Sequence, residues 1–245
     1  MPSSKKKPDF IIILSTLFLV SIGVIMVYSA SAVLSFQNYG DWYYLTKRQL
    51  LFAGLGVIAM LVMMNIHYHT WHKWAKVGII VCFVLLIIVL IPGVGILRNG
   101  ARSWLGIGAF SIQPSEFMKL AMIAFLARYL SGNQEKITLF FKGLVPPLLL
   151  AGTAFGLIML QPDLGSGTVL IGTAMVMIFI SGARMSHLNG LILLGVMGFV
   201  ALILAAPYRM ERIYSFIDPW KDPLDDGYQI IQSLFAIGPG GLFGL

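Results

Sequence analysis

The sequence contains little charge: 11% of its 245 residues are Asp, Glu, Lys or Arg, whereas 58% are hydrophobic. A water-soluble domain carries about 25% charged residues, because most of its surface must be polar. The shortage of charge therefore excludes a soluble globular protein, and lipid is the expected solvent for much of the chain. The net charge of +7 then indicates contact with lipid headgroups and membrane topology rather than nucleic acid binding.

Cysteine and the common motifs of soluble enzymes are also scarce. Cys82 is the one cysteine, so no disulfide can form within the chain. The P-loop pattern G-x-x-x-x-G-K-[ST] and the zinc-protease pattern H-E-x-x-H are both absent, which argues against nucleotide-driven pumping and zinc proteolysis. His67, His69 and His72 have no Cys or carboxylate nearby, and we interpret them as a loop face rather than a metal site.

Long apolar runs dominate what is present. A membrane helix needs about 20 mostly apolar residues, and the sequence predicts seven spans, at 10–33, 49–64, 77–91, 114–130, 144–160, 164–181 and 188–206. These runs are too long and uniform for a barrel, and we expect no strands between them. The predicted fold is all-α, a polytopic transmembrane helix bundle that forms one membrane domain over 1–245. Gly152 and Gly156 form a G-x-x-x-G pattern that predicts close helix packing.

The orientation follows from the lysine triplet Lys5-Lys6-Lys7, which the positive-inside rule places in the cytoplasm. The first apolar run exceeds the roughly 7–15 residues of a signal-peptide core, so we expect an uncleaved helix. Alternating crossings then place 35–48, 92–113, 161–163 and the segment from 207 onward on the outer face. Arginines are frequent in these outer segments, which suggests an anionic ligand there, although outer-leaflet headgroups explain the pattern too.

The predicted outer loop at 92–113 contains Arg98, Arg102 and Trp104. Two guanidinium groups four residues apart can bind phosphate oxygens in a forked geometry. The neighbouring tryptophan can stack on a sugar or lie at the membrane interface. A solvated loop with an interfacial anchor explains the same pattern equally well.

Charged residues occur at the start of the fourth and sixth spans. Glu116 and Lys119 are three residues apart, so they share a helical face. Charges within a span usually face the bundle interior or a water-filled cavity, which favours a cavity-lining pair over a purely structural ion pair. Asp163 follows Pro162, and it can either cap the sixth helix or line the same cavity.

The segment from 207 onward is richer in turns. Asp218, Asp222, Asp225 and Asp226 could each act as a base, but turn and capping roles are expected for them. An apolar stripe between residues 230 and 237 predicts a helix that lies on the membrane surface.

Several segments in order resemble the SEDS family of cell-wall proteins (shape, elongation, division and sporulation). They are Met26-Val-Tyr-Ser-Ala-Ser, Arg98-Asn-Gly-Ala-Arg-Ser-Trp, Phe110-Ser-Ile-Gln-Pro-Ser-Glu-Phe-Met-Lys, Gln161-Pro-Asp-Leu-Gly, Pro219-Trp-Lys-Asp-Pro, Gly227-Tyr-Gln and Gln232-Ser-Leu-Phe-Ala-Ile-Gly-Pro-Gly-Gly-Leu-Phe-Gly. Each motif alone is weak, but the combination is specific and covers essentially the whole chain. These motifs resemble the sequences of the division and sporulation members, FtsW and SpoVE, more than that of the rod-elongation member RodA.

The resemblance implies a bacterial cytoplasmic-membrane protein of about ten helices that polymerises lipid II on the outer face. Undecaprenyl diphosphate would leave, and a class B penicillin-binding protein would crosslink the glycan. The family places cavity residues at Arg102, Trp104, Glu116, Lys119 and Asp163. Its catalytic aspartate lies in a Thr-Asp-Phe context that has no match here, so we expect it beyond residue 245, with 207–245 opening a large outer loop. We therefore expect a truncated chain that is inactive alone.

Two other functions fit the same residues. A lipid II flippase or other transporter would use the charged cavity as a passage, without a base at the outer face. A non-catalytic scaffold of the division or sporulation complex would tolerate substitution of the charged span residues. No cofactor is certain, although a divalent cation would suit a departing diphosphate.

Overall fold

The computed structural model describes residues 8–98, 101–107, 110–205, 207–225 and 227–240. The elements in chain order are α1 (Phe10–Tyr39), α2 (Tyr44–Met64), α3 (Tyr68–Ile88), β1 (Ile96–Arg98), β2 (Ala101–Ile107), β3 (Phe110–Ile112), α4 (Pro114–Gly132), α5 (Val145–Met159), α6 (Leu164–Ile180), α7 (Met185–Leu204), α8 (Pro207–Ile217) and α9 (Tyr228–Gly240). A π-helical turn at Phe140–Leu144 leads into α5, and 3-10 turns occur at Gln134–Lys136 and Pro219–Lys221.

All seven predicted apolar runs are helices, which confirms the all-α polytopic fold. In the described part of the chain, five helices are long and apolar enough to cross a membrane: α1, α2, α3, α5 with its preceding π-turn, and α7. The other two predicted spans are less apolar or shorter. Helix α4 carries Glu116, Lys119 and Arg128, and α6 is apolar but has 17 residues.

Residues 1–77 form one compact unit, in which α1 packs against α2. The carboxylate of Asp9 caps α1 by accepting a hydrogen bond from Ile11 N at 2.9 Å. The helix ends at Gly40, whose φ of 71° is in the left-handed region that glycine adopts without a steric penalty. Ser35 is fully buried beside this turn, and its hydroxyl donates to Asp41 O at 2.6 Å and accepts from Leu45 N at 3.3 Å.

Residues 78–245 form the second compact unit. Helix α6 contacts both α4 and α5, and the three helices share a buried apolar core to which the second half of α3 also contributes. Its fully or almost fully buried side chains include Leu86, Met118, Met122, Leu126, Ala154, Ile158, Leu170, Ala174 and Ile178. The small residues let the helices approach, and long side chains from the neighbouring helices fill the space between them.

The prediction of close packing at the G-x-x-x-G pattern was wrong. Gly152 and Gly156 are exposed, and a Cβ atom built on either would meet no described atom within 4 Å. The close approach between α5 and α6 occurs instead at Gly167, where a Cβ would lie 2.9 Å from Met159 Cε and 3.0 Å from Phe155 Cδ2. The glycine that accommodates the contact is thus on α6, opposite the helix that carries the pattern.

The prediction that no strands lie between the spans was also wrong. Strands β1, β2 and β3 form an antiparallel sheet in that order, with Leu97 paired to Arg102 and Leu105 paired to Ile112. Backbone N–H and C=O groups must find partners wherever water is scarce. Strand β1 pairs with the first half of the seven-residue β2 and β3 with its second half, which supplies such partners along the strand. The sequence of β2 has no clean alternation of apolar and polar residues.

The segment after α7 consists of α8, a 3-10 turn and α9, so the predicted helix at 230–237 is confirmed as α9. The Trp220 ring packs edge-on against the Phe235 ring, with centroids 5.8 Å apart. Asp218 precedes the 3-10 turn, and Asp222 O accepts a hydrogen bond from Gly227 N at 3.0 Å, as expected for turn residues. Asp226 lies outside the described residues.

Candidate functional site

The candidate site lies where α4 and α6 begin. Strand β3 leads directly into α4, and the turn after α5 leads into α6. Gln113, just before α4, donates from Nε2 to Asp163 Oδ2 at 2.8 Å. This hydrogen bond joins residues that are 50 positions apart and brings the first turns of the two helices to the same end of the bundle.

Glu116 and Lys119 occupy the first turns of α4. Lys119 Nζ lies 2.8 Å from Glu116 Oε1, which confirms the predicted pair on one helical face. The Lys119 side chain is 22% exposed, whereas that of Glu116 is 54% exposed. The carboxylate also lies in the first turn, where the helix dipole favours negative charge. The lysine side chain is therefore the more enclosed member of the pair.

Asp163 is the N-cap of α6. Its Oδ1 accepts a hydrogen bond from Ser166 N at 3.1 Å, which confirms the predicted capping role. Because Oδ2 accepts from Gln113, both carboxylate oxygens have partners and the side chain is held between two helices. Capping and a position in the candidate site are thus compatible for this residue.

Arg102 and Trp104 lie on β2, which contacts α4. Both side chains are half-buried. The aliphatic part of Arg102 passes over Gly95, where a Cβ atom would lie 2.6 Å from Arg102 Cγ and would collide with the Val89 carbonyl. The backbone of Arg98 is paired with Ala101 at the end of β1, but its side chain lies outside the described residues.

Two buried polar residues at this end received no role in the sequence analysis. Gln161 is fully buried, and its Nε2 donates to Leu86 O in the last turn of α3 at 3.3 Å. Ser115 is also fully buried in the first turn of α4. The available signal was the repeated Gln-Pro dipeptide at 113–114 and 161–162, since each glutamine stands just before a helix that begins at the site.

Metal ligands are not clustered at this end. Among the residues that the structure describes, no group of three or more His, Cys, Asp or Glu side chains could hold a metal ion. Among the described side chains at this end, Lys119 and Arg102 are the cations that could meet an anion.

The family model for FtsW, RodA and SpoVE, described as a cell cycle protein family, matches residues 9–245. The chain belongs to this family. It is 59% identical over 245 residues to stage V sporulation protein E of Bacillus subtilis (strain 168), covering 100% of this chain and 67% of the relative. It is 39% identical over 236 residues to the probable peptidoglycan glycosyltransferase FtsW of Geobacter sp. (strain M18), covering 96% and 64% of the two chains. The chain thus spans about two thirds of the length of these curated relatives.

Solved structures of family members have the same fold. A chain of a peptidoglycan synthase complex that coordinates polymerization and crosslinking matches with a TM-score of 0.67 and 33% identity, over 90% of this chain and 66% of that one. The rod shape determining protein RodA of Thermus thermophilus matches with a TM-score of 0.58 and 29% identity, over 74% and 58%. Together with the apolar helices, these relatives establish a multi-pass membrane protein.

Proposed function

We propose that this chain is the front part of a lipid II-polymerising peptidoglycan glycosyltransferase of division or sporulation wall synthesis. Its place would be the bacterial cytoplasmic membrane, with the N-terminus cytoplasmic. Support comes from membership of the FtsW/RodA/SpoVE family and from the glycosyltransferase named among the relatives. The activity would belong to the longer protein, and no described carboxylate is assigned as the catalytic base, which we expect beyond residue 245.

The observation that carries the proposal is the enclosed Lys119, held at 2.8 Å by Glu116 at the end of the bundle where Asp163 caps α6. Ionisable groups within a membrane domain are costly and usually serve a ligand or an ion path. When lipid II is polymerised, negative charge develops on the departing diphosphate. A positioned cation in an enclosed site stabilises such charge more strongly than water does.

The proposed roles of the remaining residues follow from this chemistry. Lys119 and Arg102, with Arg98 in the same loop, would bind the diphosphate, since ammonium and guanidinium groups suit phosphate oxygens. Glu116 would hold Lys119 in place, and Trp104 would shape the sugar region. Asp163 would support the site from the start of α6. A carboxylate outside this set would take the proton of the acceptor hydroxyl.

The proposed partners are membrane lipids and a class B penicillin-binding protein, with no nucleic acid. The match to a chain of a peptidoglycan synthase complex supports the protein partner. A transporter would bind the same lipid diphosphate but would not form a glycosidic bond, so product formation separates these two functions. A scaffold would not need the cation at Lys119.

Binding of lipid II to the protein extended to the length of its relatives tests the proposed site. We expect Lys119→Met to weaken binding by about tenfold or more, because the variant loses a charge-assisted contact worth about 1.5–3 kcal/mol. Lys47→Met is the matched control, since Lys47 pairs with Asp41 at the same 2.8 Å distance but is 69% exposed. We expect the control to bind lipid II like the wild type.

The outcome that contradicts the proposed site is equal binding by wild type, Lys119→Met and Lys47→Met. An equal loss in both variants would indicate a general effect of net charge rather than a site. The comparison is made at several salt concentrations, because screening weakens an exposed charge more than an enclosed one.

A further inference from the structure

The two Gln-Pro dipeptides have parallel structural roles. Gln113 precedes α4 and donates from its side chain to Asp163 at 2.8 Å, whereas Gln161 precedes α6 and donates to Leu86 O at 3.3 Å. Each glutamine thus connects the beginning of one helix to another part of the bundle. Gln161 is fully buried in the core, whereas Gln113 is half-buried at the same end as the charged pair.

Gln113 is connected to the charged pair through its backbone. Its carbonyl oxygen accepts a hydrogen bond from Glu116 N at 3.1 Å, and Glu116 in turn binds Lys119 at 2.8 Å. Its side chain binds the carboxylate that caps α6. One residue therefore connects the N-cap of α6 with the carboxylate that holds the enclosed ammonium.

We propose that Gln113 is a positioning residue that locks the first turn of α4 to the N-cap of α6, and thereby places Lys119 for its anionic substrate. This inference rests on the proposed function only for the identity of that substrate. The Gln113–Asp163 hydrogen bond is the lock, and Glu116 transmits the position to Lys119. Asp163 contributes by accepting hydrogen bonds, and its negative charge is of secondary importance.

The chemistry of the amide group makes this inference testable. In Asp163→Asn the remaining oxygen can still accept from Ser166 N, and the new NH2 group can donate to Gln113 Oε1 after that amide rotates by half a turn. Both hydrogen bonds of residue 163 therefore survive without the charge. In Asp163→Ala neither bond survives. In Gln113→Glu two carboxylates face each other, and the lock is replaced by repulsion.

The test is lipid II polymerisation by the extended protein with its penicillin-binding partner. We expect Gln113→Ala, Gln113→Glu and Asp163→Ala to lower kcat/KM by about 100-fold, the order of loss caused by misplacing a substrate-binding group by about 1 Å. Asp163→Asn should lose less than about tenfold, because neutral hydrogen bonds are roughly half as strong as charge-assisted ones. Exposed Gln134→Ala is the control and should match the wild type.

The double variant Gln113→Glu/Asp163→Asn is the decisive one. The introduced amide can donate to the introduced carboxylate, so we expect it to recover most of the activity that Gln113→Glu loses. We also expect KM for lipid II to rise in Gln113→Ala, because a misplaced Lys119 binds the substrate poorly. Loss of folded protein alone would lower the active fraction and leave KM unchanged.

In the activity assay, two results would overturn the inference. Equal losses in Asp163→Asn and Asp163→Ala would assign the role to the charge, and no recovery in the double variant would show that the hydrogen bond is not needed. Thermal unfolding in detergent gives a readout that is independent of activity. There, Gln113→Ala should add no destabilisation to Asp163→Ala, because both remove the same hydrogen bond. Additive losses would show that no lock exists. If the wild type makes no polymer but the stability losses of Gln113→Ala and Asp163→Ala are non-additive, only the proposed function is refuted.

Discussion

Lys119 is more enclosed than the carboxylate that it binds: its side chain is 22% exposed, that of Glu116 is 54% exposed, and the two charges are 2.8 Å apart. An ammonium that is withdrawn from solvent needs its partner to remain charged. The exposed carboxylate can move aside when an anionic ligand approaches, without leaving its own charge buried. The pair is therefore suited to presenting a cation to an anionic substrate.

The first prediction concerns this pair in the full-length protein. Lys119→Met should lower lipid II polymerisation by about 100-fold or more, the loss typical of removing one group that stabilises charge in a transition state. Glu116→Gln should cause a loss of the same order, because Lys119 loses the carboxylate that holds it in place. Both variants should still insert into the membrane, since neither adds a charge. Gel analysis of glycan product, with quantification of the protein in membranes, checks both statements. Wild-type polymerisation by both variants would rule out the assignment.

The second prediction concerns Gln161, which is fully buried and donates to Leu86 O. Gln161→Leu should lower the free energy of unfolding by about 1–3 kcal/mol, because this carbonyl loses a donor. Gln161→Glu should cost more, since an ionised carboxylate would be buried beside a carbonyl oxygen. Unfolding in detergent measures both, with the same substitutions at exposed Gln134 as controls. A Gln161→Leu variant as stable as the wild type would contradict the assigned hydrogen bond.

The third prediction concerns Gly95, over which the Arg102 side chain passes. Gly95→Ala should destabilise the protein by about 1–3 kcal/mol, because the new methyl group would meet the Val89 carbonyl and the Arg102 stem. Gly156→Ala is the control, since no described atom lies within 4 Å of its Cβ position. Thermal unfolding distinguishes the two. Lipid II binding should also fall in Gly95→Ala if Arg102 contacts the diphosphate, and a fully stable Gly95→Ala would show that the loop has room to shift.

The fourth prediction concerns the turn between α1 and α2. Ser35 is fully buried and makes two hydrogen bonds, to Asp41 O and from Leu45 N. Ser35→Ala should lower the free energy of unfolding by about 1–3 kcal/mol, because two backbone groups lose their partner. Ser31→Ala removes a hydroxyl that donates only to Val27 O within the same helix, and its effect should be small. Similar effects of the two substitutions would argue that the Ser35 bonds are not needed.

The helices could be predicted from the sequence because each depends on a long apolar run. The residues at which these helices end were harder to predict. The first span was predicted to end at 33, where the apolar run stops, but α1 continues to Tyr39 and ends at Gly40. The antiparallel sheet at 96–112 was missed, because its strands lack alternating polarity and are stabilised by pairing with one another.

The charged residues of the candidate site could be predicted from the sequence, but the hydrogen bonds that connect its helices could not. The spacing of Glu116 and Lys119 indicated their pairing, and Pro162 indicated that Asp163 could cap a helix. The bond from Gln113 to Asp163 spans 50 positions and depends on how α4 packs against α6, which no local pattern encodes. The G-x-x-x-G prediction failed for a related reason, since the pattern does not reveal which helix face meets a partner.

The most direct test of the account is lipid II polymerisation by the purified protein extended to the length of its relatives, together with its cognate penicillin-binding protein. The present 245-residue chain and the Lys119→Met variant of the extended protein serve as controls. We expect glycan polymer on a gel from the wild-type extended protein, and none or almost none from either control. A folded, lipid II-binding extended complex that makes no polymer would contradict the account and favour a transporter or a scaffold.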